Sequence, residues 1–243
     1  KQIEDELVFD ASKNEGDIWF FTNKNKLFLV ETNKEETKRT FYHATIDTNN
    51  FTLAKLFEDD IYFKFLNYHS GRIYYSSKEY NWGDVKSFAV SNKDDQKSII
   101  PQLYNNLLMH AYFTEHYIIC KYKNSGANFF NFYNYDGTFV RKIDVPSGMD
   151  VVYDYYDEET RDFYFGVYSY VLPFRNFKIN ILTGAEQPFF SANNRAKATL
   201  FPINYFETKT ISYPSRDNVM IPITIIYKKG MLLDGNNPTL LKA

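Results

Sequence analysis

Short apolar runs alternate with polar turns along most of this chain, and the alternation repeats with a period of about 45 residues. Runs rich in aromatic and β-branched residues begin at corresponding positions of successive units: Leu27, Ile73, Ile118 and Phe163. Residues of these types favour strands. The unit has the length of a four-stranded propeller blade. The pattern therefore predicts four successive units that each fold as a small antiparallel sheet.

Each unit continues with a third strand, a polar turn and a short outer strand. The third strands are predicted at 41–44, 86–89, 132–135 and 178–181, and the polar turns at 47–50, 91–94, 136–138 and 183–185. The outer strands include 52–57, 98–100 and 139–144. We predict an all-β fold, a partial β-propeller of about four blades with four antiparallel strands each. A β-sandwich is the alternative, whereas a lipocalin-like barrel would not give four units of the same layout.

Composition supports an all-β fold. The chain holds 23 Phe and 21 Tyr, aromatic residues make up 19% of it, and such side chains suit pleated, half-buried surfaces. A length of 243 residues is compatible with one large β domain and a sizeable core.

Charge narrows the possible partners, whereas charge and cysteine content are compatible with both the cytoplasm and the periplasm. The formal net charge of −2 gives no electrostatic case for nucleic acid or an anionic membrane as a partner. No apolar run approaches the roughly 20 residues that a membrane span needs, and the polar start at 1–5 does not resemble a signal peptide. Cys120 is the sole cysteine, and its apolar neighbours predict a buried core residue. We expect a cytoplasmic protein, with the periplasm as the alternative.

The last part of the chain has its own strand pattern. An extended run at 210–213 leads through a turn at 215–218 to a strand at 220–227, and a third strand is expected at 238–241. This β-meander closely resembles the junction where the β-propeller of the prolyl oligopeptidase family meets its α/β-hydrolase domain. The matching residues are 213–217, 221–222, 228–230 and 233–241. Asn218 replaces the family's usual glycine, and asparagine tolerates the left-handed conformation that such a turn needs.

The resemblance implies a domain boundary between Pro188 and Phe206. Residues 1–206 would form the partial propeller, and residues 207–243 the first strands of a truncated α/β-hydrolase catalytic domain. The blade-like units would be 12–58, 59–104, 105–147 and 148–192. Because the family's propeller is seven-bladed, the chain would begin inside the middle blade and stop before the active site. We accordingly expect a fragment of a longer protein.

The resemblance also implies an activity for the parent protein. Family members are serine-type endopeptidases that cleave short peptides after proline with a Ser/Asp/His triad, and their propeller gates access to it. This chain has no Gly-x-Ser-x-Gly segment, the turn that presents such a nucleophile. The nearest approaches, at 125–126 and 147–148, indicate ordinary turns. We therefore expect no catalytic residue in this chain and no peptidase activity of the chain alone.

Other candidate chemistry is sparse. His110 and His116 flank Glu115, but the spacing is not that of a helical zinc motif, and the segment is predicted as strand and turn. The carboxylates at 157–159 are explained by a solvated turn between two strands. We predict no metal and no cofactor.

The resemblance assigns possible substrate contacts to four residues. Trp19 and Phe20 would lie where the family presents an apolar wall, and Glu31 and Lys34 where its members offer polar or basic contacts. Packing within the blade is the alternative interpretation for Trp19 and Phe20. Simple exposure is the alternative for Glu31 and Lys34.

Two classes of function follow. The first is the gating propeller of a prolyl oligopeptidase-like serine peptidase, whose partners would be short proline-containing peptides and the missing hydrolase domain. The second is a non-catalytic propeller that binds or scaffolds another protein. A glycan-directed propeller is a third possibility, which aromatic richness alone suggests. A partial ring also leaves blade edges open, which favours self-association.

Overall fold

A computed structural model describes residues 9–10, 12, 15–46, 52–60, 63–77, 81–124, 126–145, 148–171, 174–188 and 205–241. Every regular element within these ranges is a β-strand, and none of them contains a helix that could cross a membrane. The strands form four four-stranded sheets and one two-stranded sheet, with sequence neighbours adjacent in each sheet. The predicted all-β class with four four-stranded units is confirmed.

The strands are numbered in chain order. The first sheet contains β1 (Ile18–Asn23), β2 (Lys26–Thr32), β3 (Lys38–Thr45) and β4 (Ala54–Asp60). The second contains β5 (Lys64–His69), β6 (Arg72–Ser76), β7 (Val85–Ala89) and β8 (Asn92–Ile100). The third contains β9 (Leu107–Phe113), β10 (Ile118–Asn124), β11 (Ala127–Tyr133) and β12 (Phe139–Asp144). The fourth contains β13 (Asp150–Asp157), β14 (Asp162–Tyr168), β15 (Arg175–Asn180) and β16 (Glu186–Pro188). A hairpin of β17 (Phe206–Pro214) and β18 (Met220–Lys228) follows.

These strands fall into two compact units. One comprises residues 1–118 and 133–139, and the other residues 119–132 and 140–243. The cores of the two units are therefore described one at a time.

The core of the first unit is an aromatic cluster between the first and second sheets. Phe41 packs on Phe57 and Phe63, with ring centroids 4.6 and 5.3 Å apart, and Phe57 reaches Phe88 of the second sheet at 5.1 Å. Removing one such phenylalanine from water contributes about 1.5–3 kcal/mol to folding. The aromatic richness of the sequence is thus used to join one sheet to the next.

The core of the second unit joins the third and fourth sheets in a similar way. Phe130 of β11 contacts Phe163 and Phe165 of β14, at centroid distances of 5.0 and 5.3 Å. Phe165 in turn stacks on Phe177 of β15 at 5.3 Å. Phe130, Phe163 and Phe165 are all buried.

Two predicted boundaries within the sheets are wrong. Residues 91–94 were expected to form a polar turn, but β8 begins at Asn92 and its first seven residues are exposed. Such an outer strand needs charged side chains, which discourage pairing with other chains, so its sequence resembles that of a loop. The third strand expected at 132–135 instead ends at Tyr133. The turn expected at 47–50 and the domain boundary predicted between Pro188 and Phe206 lie outside the described residues, except for Pro188, Tyr205 and Phe206.

The C-terminal segment is a hairpin and not the expected three-stranded meander. The two predicted strands are confirmed as β17 and β18, and Asn218 adopts the left-handed conformation with φ 63°. Residues 238–241 do not form a strand. The side-chain amide of Asn237 instead donates a hydrogen bond to the carbonyl of Leu232 at 2.8 Å, which holds the segment as a compact loop.

Candidate substrate-contacting site

All four predicted contact residues lie in the first sheet or in the turn that joins two of its strands. In the β1–β2 ladder, Trp19 is opposite Val30 and Phe20 is opposite Leu29. Successive residues of a strand point to opposite faces, so Trp19 and Phe20 do not share a face. Trp19 stacks on Phe21 with ring centroids 5.5 Å apart, and Phe21 packs against the core cluster. Trp19 therefore lies on the face that packs against the second sheet.

Phe20 lies on the other face, together with Glu31. Its side chain is 72% exposed. Ile18, two residues before Phe20, is the ladder partner of Glu31, which places Phe20 and Glu31 on the same face. That face thus presents an exposed aromatic ring and a carboxylate on adjacent strands.

Tyr42 of β3 fixes the position of the Glu31 carboxylate. Its hydroxyl donates a hydrogen bond to Oε2 of Glu31 at 2.9 Å, and its ring packs on Phe9 at 5.6 Å. Burial raises the pKa of Tyr42 to about 12, and the hydrogen bond and negative charge of Glu31 add to the rise. The phenol therefore remains a donor throughout the neutral range.

Sequence reasoning missed Tyr42. The available signal was the alternation along the third strand, where Phe41 is fully buried and the next residue must face the other way. A tyrosine at that place, one strand away from a glutamate of the same face, is a candidate hydrogen-bond donor to it.

Lys34 lies in the turn between β2 and β3. Asn33 shapes this turn, because its side-chain carbonyl accepts hydrogen bonds from the backbone N–H groups of Thr37 and Lys38, both at 2.8 Å. The Lys34 ammonium forms an ion pair with Glu15, and both side chains are exposed. The structure therefore brings Phe20 and Glu31 onto one face and leaves Trp19 and Lys34 elsewhere. Contact of the four residues with substrate stays a prediction.

The histidines lie in separate surroundings. His69 stacks on Tyr135 with ring centroids 4.0 Å apart, and His43 is half-buried in β3. His110 lies in β9 and His116 in the bend that follows it, which confirms the predicted strand and turn. Among the residues that the structure describes, no group of three or more His, Cys, Asp or Glu side chains could hold a metal ion.

Two further predictions about polar residues are confirmed. The Asp157 carboxylate accepts hydrogen bonds from the backbone N–H groups of Glu159 and Thr160, at 2.9 and 3.4 Å, and so stabilises the turn between β13 and β14.

Cys120 is fully buried, and burial raises the pKa of its thiol to about 12. A thiol with such a pKa is an unreactive core group at neutral pH.

Comparison with known proteins identifies relatives of this chain. No protein-family model matches it. It is 30% identical over 125 residues to the prolyl endopeptidase of Elizabethkingia meningoseptica, and 29% identical over 126 residues to that of Elizabethkingia miricola. Each match covers 51% of this chain and 17% of the relative, so the chain is similar to a small part of those proteins.

Solved structures give the same result for the fold. Apo prolyl oligopeptidase B from Galerina marginata has a TM-score of 0.75 at 17% identity, and covers 96% of this chain with 34% of its own. A post-proline cleaving enzyme from Rickettsia typhi has a TM-score of 0.65 at 15% identity, over 89% of this chain and 33% of that one. The predicted partial β-propeller and the predicted resemblance to the prolyl oligopeptidase family are confirmed.

Proposed function

We propose that this chain is the gating part of a prolyl oligopeptidase-like serine peptidase, which admits short proline-containing peptides to a catalytic domain that the chain does not itself contain. The proposal rests on four blade-like sheets followed by a β17–β18 hairpin, in a chain similar to prolyl endopeptidases. A binding or scaffolding propeller would need the blades but has no evident use for the hairpin.

One end of the β17–β18 hairpin carries an apolar cluster that supports this proposal. The nine-pair ladder places Ile211 opposite Ile223 and Tyr213 opposite Ile221 on one face. Towards the other end of this face, Ile225 and Tyr227 are paired with Lys209 and Glu207, which add charge. The opposite face mixes polar and apolar residues: Thr208, Thr210, Ser212 and Thr224 with Phe206, Met220, Pro222 and Ile226. Exposed apolar clusters are typical of interaction sites. We propose that the catalytic domain covers the cluster around Ile211 and Ile223.

The first sheet would supply the substrate contacts. Phe20 offers an exposed ring against which an apolar proline-containing segment can pack. Trp19 stacks on Phe21 on the opposite face of β1 and so helps to hold this strand in place. Glu31, held by Tyr42, offers a fixed carboxylate for a peptide N–H or a cationic group. Lys34 offers a positive charge in the adjoining turn.

The chain alone is proposed to lack peptidase activity. Its sequence contains no Gly-x-Ser-x-Gly turn, and a serine needs such a turn to lie clear of the sheet beside backbone donors. An assay of the purified chain with a Gly-Pro reporter peptide should show no cleavage above the uncatalysed background. Cleavage that survives repeated purification would contradict this part of the proposal.

A chimera tests the gating role. The part of Galerina marginata prolyl oligopeptidase B that superposes on this chain, over 96% of its length, would be replaced by the corresponding residues of this chain. We expect the chimera to cleave the short reporter and to leave a folded, proline-containing protein intact. A chimera that folds yet cleaves both substrates equally would argue against gating.

The same chimera tests the substrate contacts. Phe20→Ser and Glu31→Gln should raise KM for the reporter by about tenfold if each removes one good contact, since about 1.4 kcal/mol corresponds to a factor of ten. Lys97→Gln, an exposed charge on β8, is the matched control and should leave KM unchanged. Unchanged KM in all three variants would confine the first sheet to a structural role.

A further inference from the structure

β13 is the first strand of the fourth sheet and, among the residues that the structure describes, has a single ladder partner. The sheet order places β14 beside it on one side, with no described strand of the same sheet on the other. Its ladder with β14 is interrupted by a register shift between Val151 and Tyr153, which marks a β-bulge. A bulge leaves one residue unpaired and weakens the ladder locally. The strand therefore depends strongly on contacts made by its side chains.

Two ion pairs link β13 to β10 of the third sheet. Lys121 Nζ lies 2.9 Å from Asp154 Oδ2, and these side chains are only 16% and 12% exposed. Lys123 Nζ lies 3.1 Å from Asp150 Oδ1, with side chains that are 41% and 47% exposed. The Asp150 carboxylate also accepts a hydrogen bond from the Asn128 side-chain amide at 3.1 Å. We refer to these two contacts as the β13 ion pairs.

The neighbouring strand makes aromatic contacts. β14 packs on the third sheet through the rings of Phe163 and Phe165 against Phe130. Tyr156 of β13 is the ladder partner of Phe163 and so lies on the same face of the sheet. β13 therefore contributes an aromatic side chain to this face in addition to its charged ones. Aromatic burial does not respond to ionic strength in the way that partly exposed charges do.

The first strand of the second sheet provides an internal comparison. β5 occupies the same place in its sheet as β13, but it contacts the first sheet through Phe65 on Phe21 and Phe28, at 4.7 and 5.6 Å, and through Tyr68 on Phe28 at 5.4 Å. The contacts of β13 with the preceding sheet thus include two ion pairs, and those of β5 include aromatic stacking.

We propose that β13 opens as a local unit, separately from β14, and that the β13 ion pairs control this opening. High salt screens the half-exposed Lys123–Asp150 pair and loosens the beginning of the strand. The more buried Lys121–Asp154 pair holds the second half of the strand and responds less to salt. The attachment of this strand is therefore an ionic-strength-sensitive device, and it does not depend on the proposed peptidase function.

Hydrogen exchange of the whole chain, followed by mass spectrometry, tests the proposal. Raising the ionic strength from about 0.01 M to about 1 M shortens the Debye length from roughly 30 Å to roughly 3 Å. We expect exchange in a peptide spanning β13 to accelerate about fivefold. Loss of a half-exposed ion pair lowers the free energy of local opening by much less than the free energy of global unfolding. Peptides spanning β5 and β15 should keep their rates, since neither strand is paired with β13. Equal acceleration in all three strands, or none in β13, would overturn the proposal.

Two lysine variants sharpen the test. Lys121→Met removes the charge but keeps the length of the side chain, and so removes the ion pair with Asp154. We expect β13 to exchange about tenfold faster at low salt, since a largely buried ion pair is then broken. Lys178→Met is the matched control, because the 3.1 Å pair of Lys178 with Asp162 lies within the fourth sheet, between β15 and β14. A β13 rate that changes equally in both variants would contradict the assignment, and if Lys121→Met does not fold, the salt comparison on the unsubstituted chain decides alone.

Discussion

Gly137 lies directly against the carbonyl oxygen of Ile99. The glycine belongs to the turn between β11 and β12 and has φ 88°, and a Cβ at this place would overlap that oxygen, which belongs to β8. The turn of one blade thus fits against the outer strand of the blade before it only when it carries no side chain. Both residues belong to the first compact unit.

Replacing this glycine should destabilise the chain more than replacing a glycine in open space. Gly137→Ala adds an overlap with backbone to a left-handed conformation, and we expect a loss of about 2–4 kcal/mol in the free energy of unfolding. Gly71→Ala is the control, since Gly71 has φ 77° and no atom within 4 Å of an added Cβ. It should cost about 1 kcal/mol from conformation alone. Urea denaturation of the two variants measures the difference. Equal losses would show that the backbone around Ile99 shifts to accommodate the added Cβ without further cost.

The aromatic cluster between the first two sheets should be sensitive to truncation. Phe41 is fully buried among Phe57 and Phe63, and Phe41→Ala should lower the free energy of unfolding by about 3–5 kcal/mol through lost burial and a residual cavity. Phe41→Leu should cost less than half as much, because most of the volume is kept. Phe20→Ala, at an exposed position of the same sheet, should change stability by about 0.5 kcal/mol or less. A similar loss for Phe20→Ala would show that its face is covered in solution.

The parts of the fold that could be predicted from sequence are those in which one signal dominates. Buried strands such as β2 and β10 contain short apolar runs, and the predicted starts of all four second strands lie within one residue of those in the structure. The outer strand β8 could not be recognised, because its polar residues satisfy the needs of an exposed edge and those of a loop equally well. Leu240 and Leu241 looked like the start of a strand, but a strand also requires a neighbour to pair with, which local sequence does not report.

The candidate site shows the same division. Trp19, Phe20, Glu31 and Lys34 were chosen from a family resemblance. Such a resemblance identifies positions in the sequence, but it does not show on which face of the sheet each side chain lies. Register then separates Trp19 from Phe20 and joins Phe20 to Glu31. Tyr42 was not found because its role depends on a hydrogen bond to Glu31, which lies on the neighbouring strand and eleven positions earlier in the sequence.

The Tyr42–Glu31 hydrogen bond should be visible as a tyrosine that titrates late. The pKa of Tyr42 is raised to about 12, above the unfolded value near 10. A raised pKa means that the contribution to stability is complete below about pH 10 and is lost as the pH rises through about 12. NMR of the chain with tyrosine labelled at Cζ should show this late titration, which Tyr42→Phe should remove. Glu31→Gln should shift it to lower pH, and an unchanged titration would contradict the assigned partner.

Asp150 should contribute to acid sensitivity. Burial raises the pKa of its carboxyl, but hydrogen bonds from Asn128 and Lys123 and the charges of Lys123 and Lys121 lower it by more, so that the pKa lies below the usual value. A lowered pKa gives stability that is present above the unfolded pKa of about 3.9 and is lost as the pH falls through the folded value. Asp150→Asn should therefore be less stable than the unsubstituted chain at pH 7, and the gap should close as the pH falls through the lowered folded pKa. Denaturation at several pH values measures it, and a gap independent of pH would exclude ionisation as the cause.

The apolar cluster of Ile211, Tyr213, Ile221 and Ile223 on the β17–β18 hairpin should drive self-association of the isolated chain. Open blade edges are the other expected site, but β4 and β8 carry Lys55, Glu58, Lys93 and Asp95, and charges of this kind oppose edge pairing. On the hairpin face, the charged residues Glu207 and Lys209 lie towards one end, and the apolar cluster forms the other end. We expect light scattering to detect oligomers of the isolated chain, and Ile223→Lys to shift the distribution towards monomer. Thr224→Lys places the same charge on the opposite face and should leave association unchanged. A monomeric unsubstituted chain would show that this cluster does not drive association, and equal effects of the two lysines would indicate a general effect of charge.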